Sequence, residues 1–359
     1  RISLSNNDSG TSNTVFGKLA GAALASGGTQ NVFIGDNAGN DVTTADNNVA
    51  IGYLAFDQAT DDCDQNIAIG VSAMGGNIAS NDVNNCVAIG HSAMSGVLTT
   101  DASGSVGIGQ TTLSALTSGI GNTGVGFQAL AAEDDGDFNT AVGYQALTAQ
   151  TGVSGLTANT AIGYQAMAAN LIGQANTALG YGALGTDANG SGTTALGYHA
   201  AYGQESSGAG EVSTGNTAVG YRAGRWNVTG TNNTWLGWQA GTGPSEYSNS
   251  GNTGVGKSAL SAVEDGGNNT AVGRSALVAI TDGASNVAVG LAAGEAITTG
   301  DNNTCIGYDC DAAADAQRAI AIGSVAIASA DDSIAIGTNI TNSTTRTVKF
   351  GDAGNSMIS

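Results

Sequence analysis

One short phrase, Asn-Thr-Ala-Val-Gly-Tyr-Gln-Ala-Leu in its form at residues 139–147, recurs from end to end of this 359-residue chain. Taking its first glycine as an anchor, twenty copies run from Gly17 to Gly351, and nine of the nineteen spacings are 17 residues, the others 14 to 23. A unit of this length holds about two short strands and two turns, too little for a helical hairpin, so the stacked element is a coil of a β-solenoid. One coil buries too little to stand alone, and its neighbours must complete the core. The sequence therefore reads as an all-β solenoid of about 20 coils, a single continuous domain over 1–359 and an excerpt of a longer fibre. At about 4.8 Å per coil the rod would be roughly 90 Å long.

Within a copy the pattern has period two. The residue before the anchor is always apolar (Ile51, Val142, Leu196), and the residue three before it is β-branched: Val49 and Ile67 early, Thr in nine consecutive copies from Thr123 to Thr270, Ile320 and Val348 late. Alternation puts these two positions on one face of a strand, and apolarity assigns that face to the core. The residue between them is Ala or Gly in fifteen copies and is expected to point outward. Small residues allow close backbone approach, so that outward face is expected to pack on an identical chain in a closed oligomer. Val15, Phe33, Trp235, Cys305 and Lys349 break the pattern. Asn stands four before the anchor in fourteen copies, where its amide suits a corner and can bond local backbone or the next Asn. Length variation falls between the second strand and the next Asn, longest at about Tyr202 to Gly215.

Charge removes several partners. The net charge is -20 and positions 19 to 221 contain no Lys or Arg, so nucleic acid and anionic membrane surfaces are disfavoured. No apolar run is long enough to span a bilayer. Gly-x-Gly strings such as Gly107 to Gly109 follow from the anchor and lack the strand-to-helix crossover of a dinucleotide site.

Four groups of residues carry chemistry. The position after the anchor is aromatic in seven consecutive copies, Phe127, Tyr144, Tyr164, Tyr181, Tyr198, Tyr221 and Trp238; such a ladder either stacks for structure or offers sugars a platform. His91 and His199 have no triad partners placed around them and read as exposed repeat variants, so no enzyme activity is expected. The acidic runs Glu133, Asp134, Asp135 and Asp137, Glu264 with Asp265, and Asp331 with Asp332 lack calcium-loop spacing and read as solvated charge. Cys63 and Cys86 lie on adjacent coils and could bridge, whereas Cys305 and Cys310 stand where the repeat has Ala and read as small buried fillers; no zinc spacing appears. No catalytic residue, metal site or cofactor is expected. The threonine rank invites an ice-binding reading, set aside because those threonines are assigned to the core side.

The stretches Asn48 to Gly52, Asn66 to Gly70, Ile320 to Gly323 and Ser333 to Gly337 resemble the heads of trimeric autotransporter adhesins (YadA-like) and similar repeats of phage tail fibres. That resemblance implies a left-handed parallel β-roll, a homotrimeric rod and an extracellular place on a virion tail fibre or bacterial surface. It also implies attachment to a host cell-surface receptor or polysaccharide. The functional expectation is thus a non-enzymatic fibre segment presenting receptor-binding elements, with an adhesin head and a glycan-binding module as alternatives.

Overall fold

The computed structural model describes residues 12–25, 27–59, 62–78, 82–151, 154–206, 212–244, 247–352 and 357–358, leaving Arg1 and the middle of the 202–215 insertion outside. The chain is a parallel β-solenoid of about 19 turns, with no α-helix among the described residues. None of its described elements is a helix long and apolar enough to cross a membrane. Two compact units, 1–176 and 177–359, are built from the same coil.

Each coil opens on a strand covering the three residues before the anchor. In the first unit Val49–Ile51 pairs in parallel with Ile67–Ile69, and that strand with Val87–Ile89, equivalent residues always facing one another. The second unit repeats the register, Thr253–Val255 on Thr270–Val272 on Val287–Val289. The last coils, shortened to 16 and then 14 residues, add a second sheet of Asp311–Ala312, Ile327–Ala328 and Thr341–Asn342. At the C-terminal end Met357–Ile358 pairs antiparallel with the strand Val348–Asp352.

The expected glycine columns are present in both units. Anchor φ values lie between 122° and 149°, a region closed to residues with a Cβ. A Cβ on Gly52 would overlap the carbonyl oxygen of Gly70, and one on Gly273 that of Gly290. Behind the anchor the backbone turns tightly through left-handed residues two and four positions on, Gln145 (φ 53°) and Leu147 (φ 50°) in one coil, Ser275 (59°) and Leu277 (47°) in another. Non-glycine residues there cost about 1–2 kcal/mol each, a strain that stacking must offset in every coil.

The asparagines form a ladder of another kind. Asn269 is fully buried; its Oδ1 accepts the backbone N–H of Asn286 at 2.9 Å and its Nδ2 donates to the Gly283 carbonyl at 2.8 Å. Asn286 does the same for Asn303 and Gly300, and Asn122, Asn139 and Asn159 are linked likewise in the first unit. Each amide side chain thus ties its own coil to the next strand and to the loop that precedes it, satisfying backbone groups the strands leave over.

The facing of the strands is the reverse of the sequence expectation. The middle residue is the buried one: Ala141, Ala178, Ala271 and Ala288 have no exposed surface, while the residues on either side are half-buried or exposed, as in Thr177–Leu179 and Val287–Val289. The lumen is narrow, and the second leg already fills it with Ala and Leu three and four after the anchor, Ala146 and Leu147 for example, both fully buried. Only a methyl fits opposite them. Phe33, Trp235 and Cys305 are also inside. Room for the two large rings comes from glycine at the fourth position after the anchor: a Cβ on Gly39 would stand 2.8 Å from the Phe33 ring, and one on Gly241 would overlap Trp235. The small-residue argument for an oligomer, resting on an outward alanine face, therefore fails. What faces outward is the β-branched and aliphatic pair.

A second interior column lies seven residues after most anchors. It is apolar in Val42, Leu116, Val263, Ile280 and Ile297, but polar in Glu133, Gln150 and Asn170 of the first unit and Asp187, Gln204 and Asn227 of the second, all buried. These coils carry six of the seven consecutive aromatic residues, Phe127 to Tyr221.

Candidate functional site

The residue after the anchor is carried on the turn out of the strand, so its side chain stacks coil on coil. In the first unit Phe127 lies 5.1 Å from Tyr144 and Tyr144 5.2 Å from Tyr164, ring planes 17° and 6° apart. The second unit holds Tyr181, Tyr198, Tyr221 and Trp238 at 5.2, 5.3 and 4.2 Å, planes 13° to 17° apart. Five of the rings are exposed, from 39 % at Tyr198 to 50 % at Trp238, and Phe127 and Tyr221 are half-buried. Beside them the next residue makes a glutamine ladder, Gln145 donating to Gln128 at 2.8 Å and Gln165 to Gln145 at 3.0 Å. All seven rings thus occupy the expected position, three stacked in the first unit and four in the second. Within a stack each ring turns its faces to its neighbours and its edge to solvent, the offset-stacked arrangement aromatic pairs favour. A pyranose needs a ring face, so this geometry serves packing better than sugar binding.

The two histidines differ. His91 is exposed, as expected. His199 is not: its ring stacks between Tyr198 at 4.1 Å and Tyr202 at 4.4 Å, and burial, with Arg225 and Arg222 nearby, holds its pKa below the usual imidazole value. Arg222 lies over Tyr221 at 4.9 Å.

The acidic groups divide as well. Glu264 and Asp265 are exposed, and Asp332 pairs with Arg318 at 2.6 Å, whose hydrogen bond lowers its pKa. Glu133, expected in solvent, is instead inside the coil, its carboxylate accepting from Gly136 N at 2.7 Å and Asn139 Nδ2 at 3.2 Å. Burial pushes its pKa up to about 7, with Asp134 and Asp135 adding to the rise. The Glu133, Asp134 and Asp135 oxygens lie within 4.8 Å of one another, an arrangement common without an ion.

All four cysteines are free thiols and buried. Cys63 and Cys86 are unbridged; Cys86 fills an asparagine position and its Sγ lies 3.4 Å from the Ala102 carbonyl. Cys305 and Cys310 are the expected small fillers, and the hydrogen bond between them, with burial, raises the Cys305 thiol.

The feature the sequence reading misplaced is the outward strand face. In the first unit it presents the threonines of Thr123–Val125, Thr140–Val142 and Thr160–Ile162 with their aliphatic partners in register; in the second it runs through Thr177–Leu179, Thr194–Leu196 and onward. Leu179 is 47 % exposed and Leu236 46 %. No protein-family model matches the chain, and no curated protein matches it closely enough to count as a relative.

Proposed function

We propose that this chain is a rigid, non-enzymatic segment of an extracellular attachment fibre, three copies of which associate through their outward Thr/Val and aliphatic strand faces. The observation that carries the reading is that face: two ranks of side chains in register along each unit, one always apolar, half-buried to exposed among the described residues. Burying aliphatic surface stabilises association by about 25 cal/mol per Å², and a repeating flat face suits identical partners related by rotation. The number three, and a place on a phage tail fibre ahead of a bacterial adhesin head, come from the resemblance of Ile320 to Gly323 and Ser333 to Gly337 to those repeats. Mass photometry of the purified chain is expected to give one species at three times the 35.0 kDa chain mass. A stable monomer would remove the assembly.

A second reading has an observation of its own. The threonines, expected inward, point outward, each sharing its strand face with a Val, Ile or Leu two residues on, the arrangement in ranks that an ice-binding reading requires. A monomer that also gives thermal hysteresis would replace the fibre reading with this one; a trimer with none would dismiss it.

A further inference from the structure

We infer that the coils around the longest insertion form a saccharide site beside Trp226 that takes one hexopyranose unit. A cavity of about 320 Å³ opens there, lined by the side chains of Thr186, Tyr202, Glu205, Trp226, Val228 and Ser248. That is the lower end of small-molecule sites, which run from about 300 to 1,000 Å³, and suits a single ring.

Its composition departs from the repeat. The fifth and sixth positions after the anchor carry Thr148 and Ala149 or Ser261 and Ala262 in ordinary coils, whereas here they supply Tyr202 and Trp226. These rings stand edge to face at 6.4 Å and 89°, forming a corner rather than a stack, unlike the rings of the ladder.

The polar groups are those a sugar uses. Glu205 is exposed and its carboxylate makes no ion pair among the described residues; it can accept from two neighbouring hydroxyls. Arg225 lies 4.3 Å over the Trp226 ring and 5.9 Å from that of Tyr202, with Nε buried and unpartnered. Arg222 and Arg225 are the first cations after Lys18, and both lie on rings at this place instead of on acids. Ser248 Oγ, bonded to Thr229 at 2.8 Å, adds a hydroxyl. An aromatic corner for C–H contacts, an exposed carboxylate and the Ser248 hydroxyl for the sugar hydroxyls together match a pyranose better than an apolar ligand, which would leave the carboxylate desolvated without a partner.

This inference deepens the attachment half of the proposed function and rests on that reading for its purpose, but its test is independent of assembly. The full chain would be titrated with the methyl glycosides of glucose, galactose and mannose, followed by saturation-transfer NMR and calorimetry. At least one is expected to bind, and Trp226→Ala and Glu205→Ala each to weaken it about tenfold or more, a loss of about 1.4 kcal/mol. Trp238→Ala, in the ladder, should leave it unchanged. Glu205 is exposed, so its variant keeps the fold even where Trp226→Ala does not. Absence of binding by all three glycosides, binding indifferent to both pocket variants, or binding lost with Trp238→Ala would each overturn the site. A monomer that binds sugar through Trp226 would retain the pocket and remove the trimer; a trimer that binds none would do the reverse.

Discussion

At the scale of single residues, the coil is held by side chains that act on backbone. Asn269→Ala strands the Asn286 N–H and the Gly283 carbonyl inside the protein. Each buried group left unpaired costs about 1–3 kcal/mol, so a clear drop in urea midpoint is expected, with faster amide exchange at Asn286. An unchanged midpoint would mean that water substitutes freely for the amide. Buried acids set the response to pH. Glu133 is raised from 4.5 to about 7, and Asp57 and Asp311 from 3.8 to about 6, each chiefly by burial. A raised folded-state pKa means that the folded chain holds protons the unfolded chain has released, so this stability is complete below about pH 4 and is lost as pH rises through 6 to 7. The melting midpoint is expected to be lower at pH 8 than at pH 5, and Glu133→Gln, which keeps the carbonyl acceptor for Gly136 and carries no charge, to recover much of the difference. A midpoint rising from pH 5 to 8 would contradict the burial of these groups.

At the scale of the coil, volume is conserved across the lumen. Trp235 is fully buried where other strands carry Ala, and Gly241 stands where other second legs carry Leu. Trp235→Ala should cost about 3–5 kcal/mol as a large-to-small core change, and Gly241→Leu alone should clash with the indole. Together they recreate an ordinary coil, since Leu147 and Leu277 occupy the equivalent left-handed position, so the double variant is expected to recover most of the stability by calorimetry; simple additivity would deny the contact. This exchange also shows what the sequence allowed. The coil count, strand positions, glycine columns and asparagine corners were legible because each follows from period and local chemistry. The facing was not, because period two says that Val49 and Ile51 share a side and not which side. Apolarity then pointed the wrong way, since a pair of aliphatic positions on one strand face is ordinarily a core pair. The signal that could have decided it was the pairing of Phe33 with Gly21 and Gly39, and of Trp235 with Gly224 and Gly241, large residues matched by absent ones. The aromatic ladder was legible as a column, whereas the Tyr202 and Trp226 corner and the burial of Glu133 depend on how loops of different length fold back.

At the scale of the whole molecule, the account turns on the difference between adjacent residues. Ala271 points into the coil and Val272 out of it, so polarity should be tolerated at the second and not the first. Introducing charge on the outward rank with Leu236→Glu and Val272→Glu is expected to weaken the proposed association while leaving the lumen untouched. The deciding measurement is sedimentation equilibrium of that double variant beside the parent chain, with circular dichroism on the same samples. The account predicts a three-chain parent and a one-chain variant at 35.0 kDa, both with the same strand spectrum. An unchanged mass, or collapse of the spectrum in the variant, would place those side chains elsewhere than on a shared outer face.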